Sequence, residues 1–385
     1  MIGSWQQFVV ESRESDGPMR IALKSVVDNK YVSVERNAQG DDKDMLRARS
    51  DSVGSWERFT LVPLGQVGNG GDRTAPAAAP ASDLNIMTWN VRANNNTNCW
   101  DGNRAGKDRV SAEIAGRLPR PGTGDMPDVV LLQEFCEKHA KPVEQALEGR
   151  TGRQWDVRFA PIEYNLGELG EPVLGQYGVR AQKQCATADG LDRGAYGVAL
   201  ALPDSNTYYQ SFPLSSPASF VRDGKTTKAE QRTALCADLP SQALHVCAAH
   251  FSAGEGYEDP KGTARSKQAG ELLDIAAAAP TGYRPVFGGD LNAVGPDSTG
   301  PDGGNRGILA NAYASYRECA QLNDLSNPRT GPATAVAAKE TGAATMKIDH
   351  IFAPRNAPFE SCAVSATHAP SDHWSLHGTI HLPAN

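Results

Sequence analysis

The 385 residues carry 39% hydrophobic and 22% charged side chains, enough for a full core and more than one domain. No run reaches the roughly 18–20 apolar residues of a membrane-spanning helix, so no transmembrane segment is expected. The net charge of −7 and pI near 5.7 exclude binding of a polyanion by global charge alone. The start, Met1 to Gln7, lacks the basic and apolar regions of a signal peptide, so an exported form is expected to have lost its signal.

Short alternating runs open the chain: Trp5 to Glu11, Met19 to Val26, Lys30 to Glu35, Met45 to Arg49 and Arg58 to Val62. Turn residues separate them, which predicts a small all-β domain over residues 1–64. Gly65 to Ser82 is rich in Gly, Ala and Pro without apolar periodicity and reads as a linker. From residue 83 to 385 strands alternate with helices, an α/β pattern. A strand is expected at Leu84 to Asn90, then a helix over Lys107 to Leu118 with Val110, Ile114 and Leu118 on one face. Asp128 to Glu134 and Val286 to Asn292 are apolar runs ending in polar groups, and Arg265 to Ala279 is a second helix presenting Leu272, Ile275 and Ala276.

Seven cysteines favour an oxidising compartment and thus a secreted protein. Arg232 to Asp238 and Leu244 to Ala249 read as the arms of a hairpin, and a symmetric loop puts Cys236 opposite Cys247. Cross-strand Cα atoms lie roughly 4.5–5.5 Å apart, within disulfide range. Cys99 with Cys136 and Cys319 with Cys362 are the further pairings expected, which leaves Cys185 over.

The chemistry falls at strand ends, where polar side chains should converge on one rim. Asn90 follows the first strand and Glu134 ends an apolar run that needs a cation or arginine partner for it. His250 ends the hairpin. Asp290 and Asn292, two residues apart, face the same side in extended backbone, and Gly288 with Gly289 permits close approach. Asp349, Asp372 and His373 complete the set. Carboxylates and amides suit a hard divalent cation, and two histidines suit proton transfer. Together they give metal-assisted hydrolysis of a phosphoester.

Two resemblances follow from these residues. Ile21 to Lys24, Lys30 to Ser33, Leu46 to Ala48 and Trp56 to Phe59 resemble one lobe of the fascin-like β-trefoil family. That implies a glycan-, filament- or surface-contacting module, or a structural flap packed on the second domain. The ordered set Asn90, Glu134, His250, Asp290 with Asn292, Asp349 and Asp372 with His373 resembles the endonuclease/exonuclease/phosphatase superfamily over residues 83–382. It implies a DNase I-like four-layered α/β sandwich, with two central sheets and helices outside.

By that resemblance Glu134 holds Mg²⁺, with Mn²⁺ or Ca²⁺ as alternatives, and Asn90 and Asp372 stand nearby as ligands or act through water. Asp290 and Asn292 orient the attacking water and phosphate oxygens. His250 and His373 bind the phosphoryl group and transfer protons, Asp349 orients His373, and Arg232 contacts phosphate. The chain departs from DNase I at Gly194 to Val198, where no acid stands to partner the first histidine, so the orientation of His250 is open. The long loop Pro161 to Arg193, with Arg180, Lys183 and Arg193, is expected either to shape the substrate groove or to be an insertion that takes no part. The expectation is a secreted, metal-dependent phosphodiesterase acting on DNA or RNA. Its rivals are a phospholipid phosphodiesterase or inositol or sugar phosphatase, and an inactive glycan- or filament-binding protein.

Overall fold

A computed structural model describes residues 8–12, 20–34, 46–54, 57–60, 79–94, 100, 106–164, 182–187, 192–203, 207–217, 219–222, 225–254, 258–299, 305–336 and 343–384. Linker residues 65–78, Trp56, Cys99 and residues 165–181 of the long loop, with Arg180, lie outside them. The described residues fall into two compact units, one within Met1–Pro63 and the other within Leu64–Pro172 and Gln182–Asn385.

The first unit is an antiparallel sheet of β1 (Phe8–Ser12), β2 (Arg20–Ser25), β3 (Tyr31–Val34), β4 (Leu46–Ser50) and β5 (Phe59–Thr60). Its order is β1-β2-β3-β4, with β5 on β2.

The second unit opens with β6 (Ser82–Asn90), α1 (Lys107–Arg117), β7 (Val129–Cys136), α2 (Ala140–Thr151), β8 (Trp155–Pro161), β9 (Glu163–Tyr164), β10 (Tyr196–Pro203) and β11 (Tyr208–Pro213). The hairpin of β12 (Ser219–Arg222) and β13 (Lys225–Lys228) follows, then β14 (Glu230–Gln231), β15 (Thr233–Leu239), β16 (Leu244–His250) and α3 (Thr263–Ala277). It closes with β17 (Arg284–Asp290), α4 (Ala310–Ser315), β18 (Tyr316–Glu318), β19 (Asp349–Pro354), β20 (Phe359–Val364) and β21 (Leu376–Leu382).

These strands build two six-stranded sheets, β20-β21-β6-β7-β10-β8 and β18-β19-β17-β16-β15-β11. Each has one parallel pair at its middle, β6 with β7 and β16 with β17, flanked by antiparallel neighbours. Strand alternation sorts the side chains into layers. Leu84, Ile86, Val129, Leu131, Val246 and Ala248 fill the space between the sheets. Met87, Trp89, Val130 and Leu132 pack outward on Val110 and Ile114 of α1 and Val143 and Leu147 of α2. Cys247, Ala249 and Phe287 pack outward on Leu272 and Ala276 of α3. The result is helix, sheet, sheet, helix, the four-layered sandwich that the resemblance implied.

Three disulfides tie the second unit: Cys236–Cys247, Cys319–Cys362 and Cys136–Cys185. The first two are as expected from sequence. The third overturns the pairing of Cys136 with Cys99 and accounts for Cys185. The segment carrying Cys185 folds back along β10 through a bridge from Gln184 to Ala195, which sets its thiol beside the end of β7. No local spacing encodes that return.

Close approach is most demanding at Gly289, whose φ is +134° and whose added Cβ would stand 2.0 Å from the Ala249 carbonyl oxygen. Only glycine fits there. Gly289→Ala is therefore expected to lower unfolding free energy by more than about 4 kcal/mol, read from urea midpoints. Recovery of folded protein of wild-type stability would refute this account of the strand pair.

His139, at the start of α2, is fully buried edge-on to Phe135. Among the described residues neither ring nitrogen has a hydrogen-bond partner. Burial first, and then the charge of Arg193, lowers its pKa to about 3. The unfolded chain takes this proton near 6.5, so the neutral ring's contribution is complete above that pH and is lost as pH falls toward 3. Its share of the slope is about 1.4 kcal/mol per pH unit. His139→Leu should flatten the acid limb of stability between pH 6 and 4 by about that amount, as followed by urea unfolding across pH.

Candidate active site at the strand ends

The carboxyl ends of both parallel pairs lie on one rim, and the antiparallel neighbours β19 and β21 begin there. Asn90, Glu134, His250 and Asp290 therefore arrive from strands that end at the rim. Asp349, Asp372 and His373 arrive from strands that start there.

Alternation places Thr88 and Asn90 on the inner side of β6, as it does Leu84 and Ile86. On β7 it would carry Gln133 inward and Glu134 outward. A bulge intervenes, with Gln133 and Glu134 opposing the single residue Val198 of β10. Glu134 takes φ +53°, and the bulge turns its carboxylate to the rim.

Asp290 is the hub. Its Oδ2 accepts from Asn90 Nδ2 at 2.9 Å and lies 3.5 Å from His250 Nε2 and 3.7 Å from His373 Nε2. Its Oδ1 accepts from the Asn292 backbone N–H at 3.0 Å. Asn90 Nδ2 also reaches Glu134 Oε1 at 3.2 Å. His373 donates through Nδ1 to Asp349 Oδ2 at 2.9 Å, and the backbone N–H of Asp349 donates to Thr334 Oγ1 at 3.1 Å. Ser371 Oγ donates to the Asn90 carbonyl at 2.7 Å and accepts from the His373 N–H at 3.1 Å, pinning the last motif to β6.

Two residues are placed differently from their sequence-derived roles. The Asn292 side-chain amide donates to the Phe251 carbonyl at 3.1 Å, bracing the loop after β17. Arg232 is buried and turned inward, and donates to Glu258 Oε1 at 2.9 Å from Nε and 2.5 Å from Nη2. Its Nη1 stands 3.3 Å from His250 Nδ1 and 3.3 Å from Glu230 Oε2. Arginine is a donor only, so His250 Nδ1 accepts and its proton sits on Nε2, facing Asp290. The partner of His250 that the sequence left open is thus an arginine.

The two histidines are driven apart. Burial, followed by Arg232, lowers His250 to about 4, against the pull of Asp290 and Glu134. Burial also acts downward on His373, but Asp349 and Asp290 outweigh it and hold the ring at about 9. At neutral pH the rim carries one neutral imidazole and one imidazolium about a common carboxylate, the split that separates acid and base roles. Burial raises Glu134, but His250, Arg92, Asn90 and Lys183 together bring it down to about 2.

The donors fit a hard cation. Asp290, Asp349 and His373 offer atoms within 4.8 Å of one another, and Glu134 joins them through Asn90. Asp372 ion-pairs with Arg92 through Oδ2, and its Oδ1 stands 4.0 Å from His373 Nε2. Asp349 Oδ1 and Asp372 Oδ1 are buried acceptors without a hydrogen-bond donor among the described residues, vacant lone pairs of the kind a divalent ion takes. Arg92, Glu230 and Glu258 escaped the sequence reading, and Lys183 entered it only as part of the long loop expected to shape the substrate groove. They lie in loops or a two-residue strand and join the site only through side chains.

The model of the Endonuclease/Exonuclease/phosphatase family matches residues 87–373. No curated protein matches the chain. Among solved structures, one of an endonuclease/exonuclease/phosphatase from Beutenbergia cavernae DSM 12333 is similar at 19% identity, covering 78% of this chain and 72% of that chain with a TM-score of 0.49. D. rerio TDP2 complexed with a single-strand DNA product is similar at 17% identity, covering 78% and 100% with a TM-score of 0.46. The human Nocturnin catalytic domain with bound sulfate is similar at 16% identity, covering 78% and 93% with a TM-score of 0.46.

Proposed function

We propose that this chain, which belongs to the endonuclease/exonuclease/phosphatase family, is a secreted, divalent-metal-dependent phosphodiesterase that hydrolyses DNA or RNA. The observation that carries the reading is the single oxygen Asp290 Oδ2 within 2.9–3.7 Å of Asn90, His250 and His373. The family supports the reaction class. The three disulfides support export.

Glu134 and Asp372 would hold the cation, Mg²⁺ or in its place Mn²⁺ or Ca²⁺, with Asn90 joining only through Oδ1, which also accepts from the Arg92 N–H, because its Nδ2 donates to Asp290 and Glu134. When bound, the cation neutralises charge building on the phosphate oxygens and the departing alkoxide. Asp290 orients the attacking water and takes its proton. His250, neutral and with its proton on Nε2, donates a hydrogen bond to a non-bridging oxygen. His373, protonated and held by Asp349, delivers a proton to the leaving oxygen. Arg232 acts on His250 from behind.

Plasmid, single-stranded DNA, RNA, sphingomyelin and an inositol phosphate, each assayed with Mg²⁺, Mn²⁺ or Ca²⁺ and with EDTA, form the test. Cleavage of a nucleic acid that EDTA abolishes is expected. Release of phosphocholine or inorganic phosphate without nucleic acid cleavage would move the assignment to those substrates, and inactivity throughout would favour an inert binding protein.

A further inference from the structure

At the far end of β15 and β16, roughly 17 Å along the strand from His250, four polar or sulfur side chains share the face turned to α3. Register pairs Cys236 with Cys247 and, next along the ladder, Asp238 with His245. All four are nearly or fully buried. In the neighbouring row on this face Ala234 pairs with Ala249, both buried and apolar. A buried carboxylate and imidazole are costly substitutes for such residues, and the hydrolytic site uses neither.

The geometry within the square is specific. His245 Nδ1 donates to Asp238 Oδ1 at 2.5 Å, because a carboxylate only accepts. In the neutral ring this leaves the lone pair on Nε2, which stands 3.3 Å from Cys247 Sγ. An imidazole fixed by a carboxylate through one nitrogen, with the other aimed at a thiolate position, is the posture of a zinc ligand.

We propose that Cys236, Cys247 and His245 form a Zn²⁺ site when the Cys236–Cys247 disulfide is reduced, with Asp238 orienting the imidazole. A dithiol or phosphine reductant delivers two electrons to the S–S bond and is itself oxidised, and two protons convert the sulfurs to thiols. Zn²⁺ displaces both protons to solvent and takes two thiolates and His245 Nε2, which leaves one coordination position open. Zinc–ligand bond lengths give tetrahedral edges of roughly 3.6 Å for S to N and 3.8 Å for S to S. The Cys247 S to N spacing of 3.3 Å already stands close to the first value, and the two sulfurs, once unbonded, have to part to about the second.

The test uses the full chain, phosphine-reduced and stripped of metal, titrated with Co²⁺ and back-titrated with Zn²⁺. Expected is one equivalent of Co²⁺ with a thiolate charge-transfer band that Zn²⁺ abolishes, absent from the oxidised protein. The band is the discriminating signal, since the oxygen-rich rim gives none. His245→Gln and Asp238→Asn should each weaken binding by about 10- to 100-fold. No band from the reduced protein, or a band indifferent to His245→Gln, overturns the proposal.

If reduction unfolds the chain, renaturation under reductant with and without Zn²⁺ decides. Folded protein holding one zinc supports the site, and a chain that stays unfolded with zinc overturns it. Mass mapping of alkylated cysteines gives the same decision independently. Zn²⁺ should shield Cys236 and Cys247, and equal labelling with and without it counts against the proposal.

Discussion

Asp290→Asn should lower kcat for metal-supported phosphodiester hydrolysis by about 10²- to 10⁴-fold with little change in KM. The side chain is 2% exposed and its two oxygens serve different masters. Oδ1 accepts from the Asn292 N–H, and Oδ2 faces the amide of Asn90 and the rings of His250 and His373. An asparagine fills the same volume but must put its NH₂ on one of these sides, opposite a donor. The substitution therefore removes the proton acceptor and also leaves a buried donor unmatched, at about 1–3 kcal/mol of stability.

A second signature follows from His373, which Asp349 and Asp290 together hold at about 9. Losing one carboxylate moves that pKa down, so the basic limb of residual activity should shift to lower pH. Circular dichroism, urea unfolding and a pH profile separate these effects. Activity within threefold of wild type would remove Asp290 from the chemistry.

Much of this site was legible because its residues end or begin strands. The apolar runs before Asn90 and Asp290 are uninterrupted, so their polar ends mark the places where chain leaves the core. Ser371, Asp372 and His373 stand just before an apolar run that starts at Leu376, and topology does the rest. The second histidine's partner came from the family resemblance alone, and in the fold Asp349 opens a strand paired with β17 and accepts from His373 Nδ1.

Other features depend on events that have no local period. The turn of Glu134 to the rim needs an extra residue relative to β10, and a bulge cannot be seen in one strand alone. Glu258 belongs to no helix or strand and meets Arg232 only after the chain has passed through β16. The family resemblance assigned Arg232 to phosphate, a contact that its forked guanidinium suits. The fold supplies two carboxylates first, the buried Glu258 and the half-buried Glu230.

That competition makes Glu258→Gln the informative stability variant. Glu258 Oε1 accepts from Arg232 Nε and Nη2 and from the Ala253 N–H at 3.3 Å, while Oε2 accepts from the Glu230 N–H at 3.1 Å. Neutralising it leaves a buried guanidinium facing Glu230 alone, and breaking such a pair costs about 3–5 kcal/mol. Arg232 then shifts toward Glu230 and no longer holds His250 Nδ1, which frees the ring to change tautomer. Stability by urea unfolding and kcat should fall together, with KM for substrate nearly unchanged. A phosphate-binding Arg232 gives the opposite split: releasing it from Glu258 would free it for substrate, lowering KM. The ratio of the kcat effect to the KM effect in Glu258→Gln therefore decides whether this arginine works on the histidine or on the phosphate.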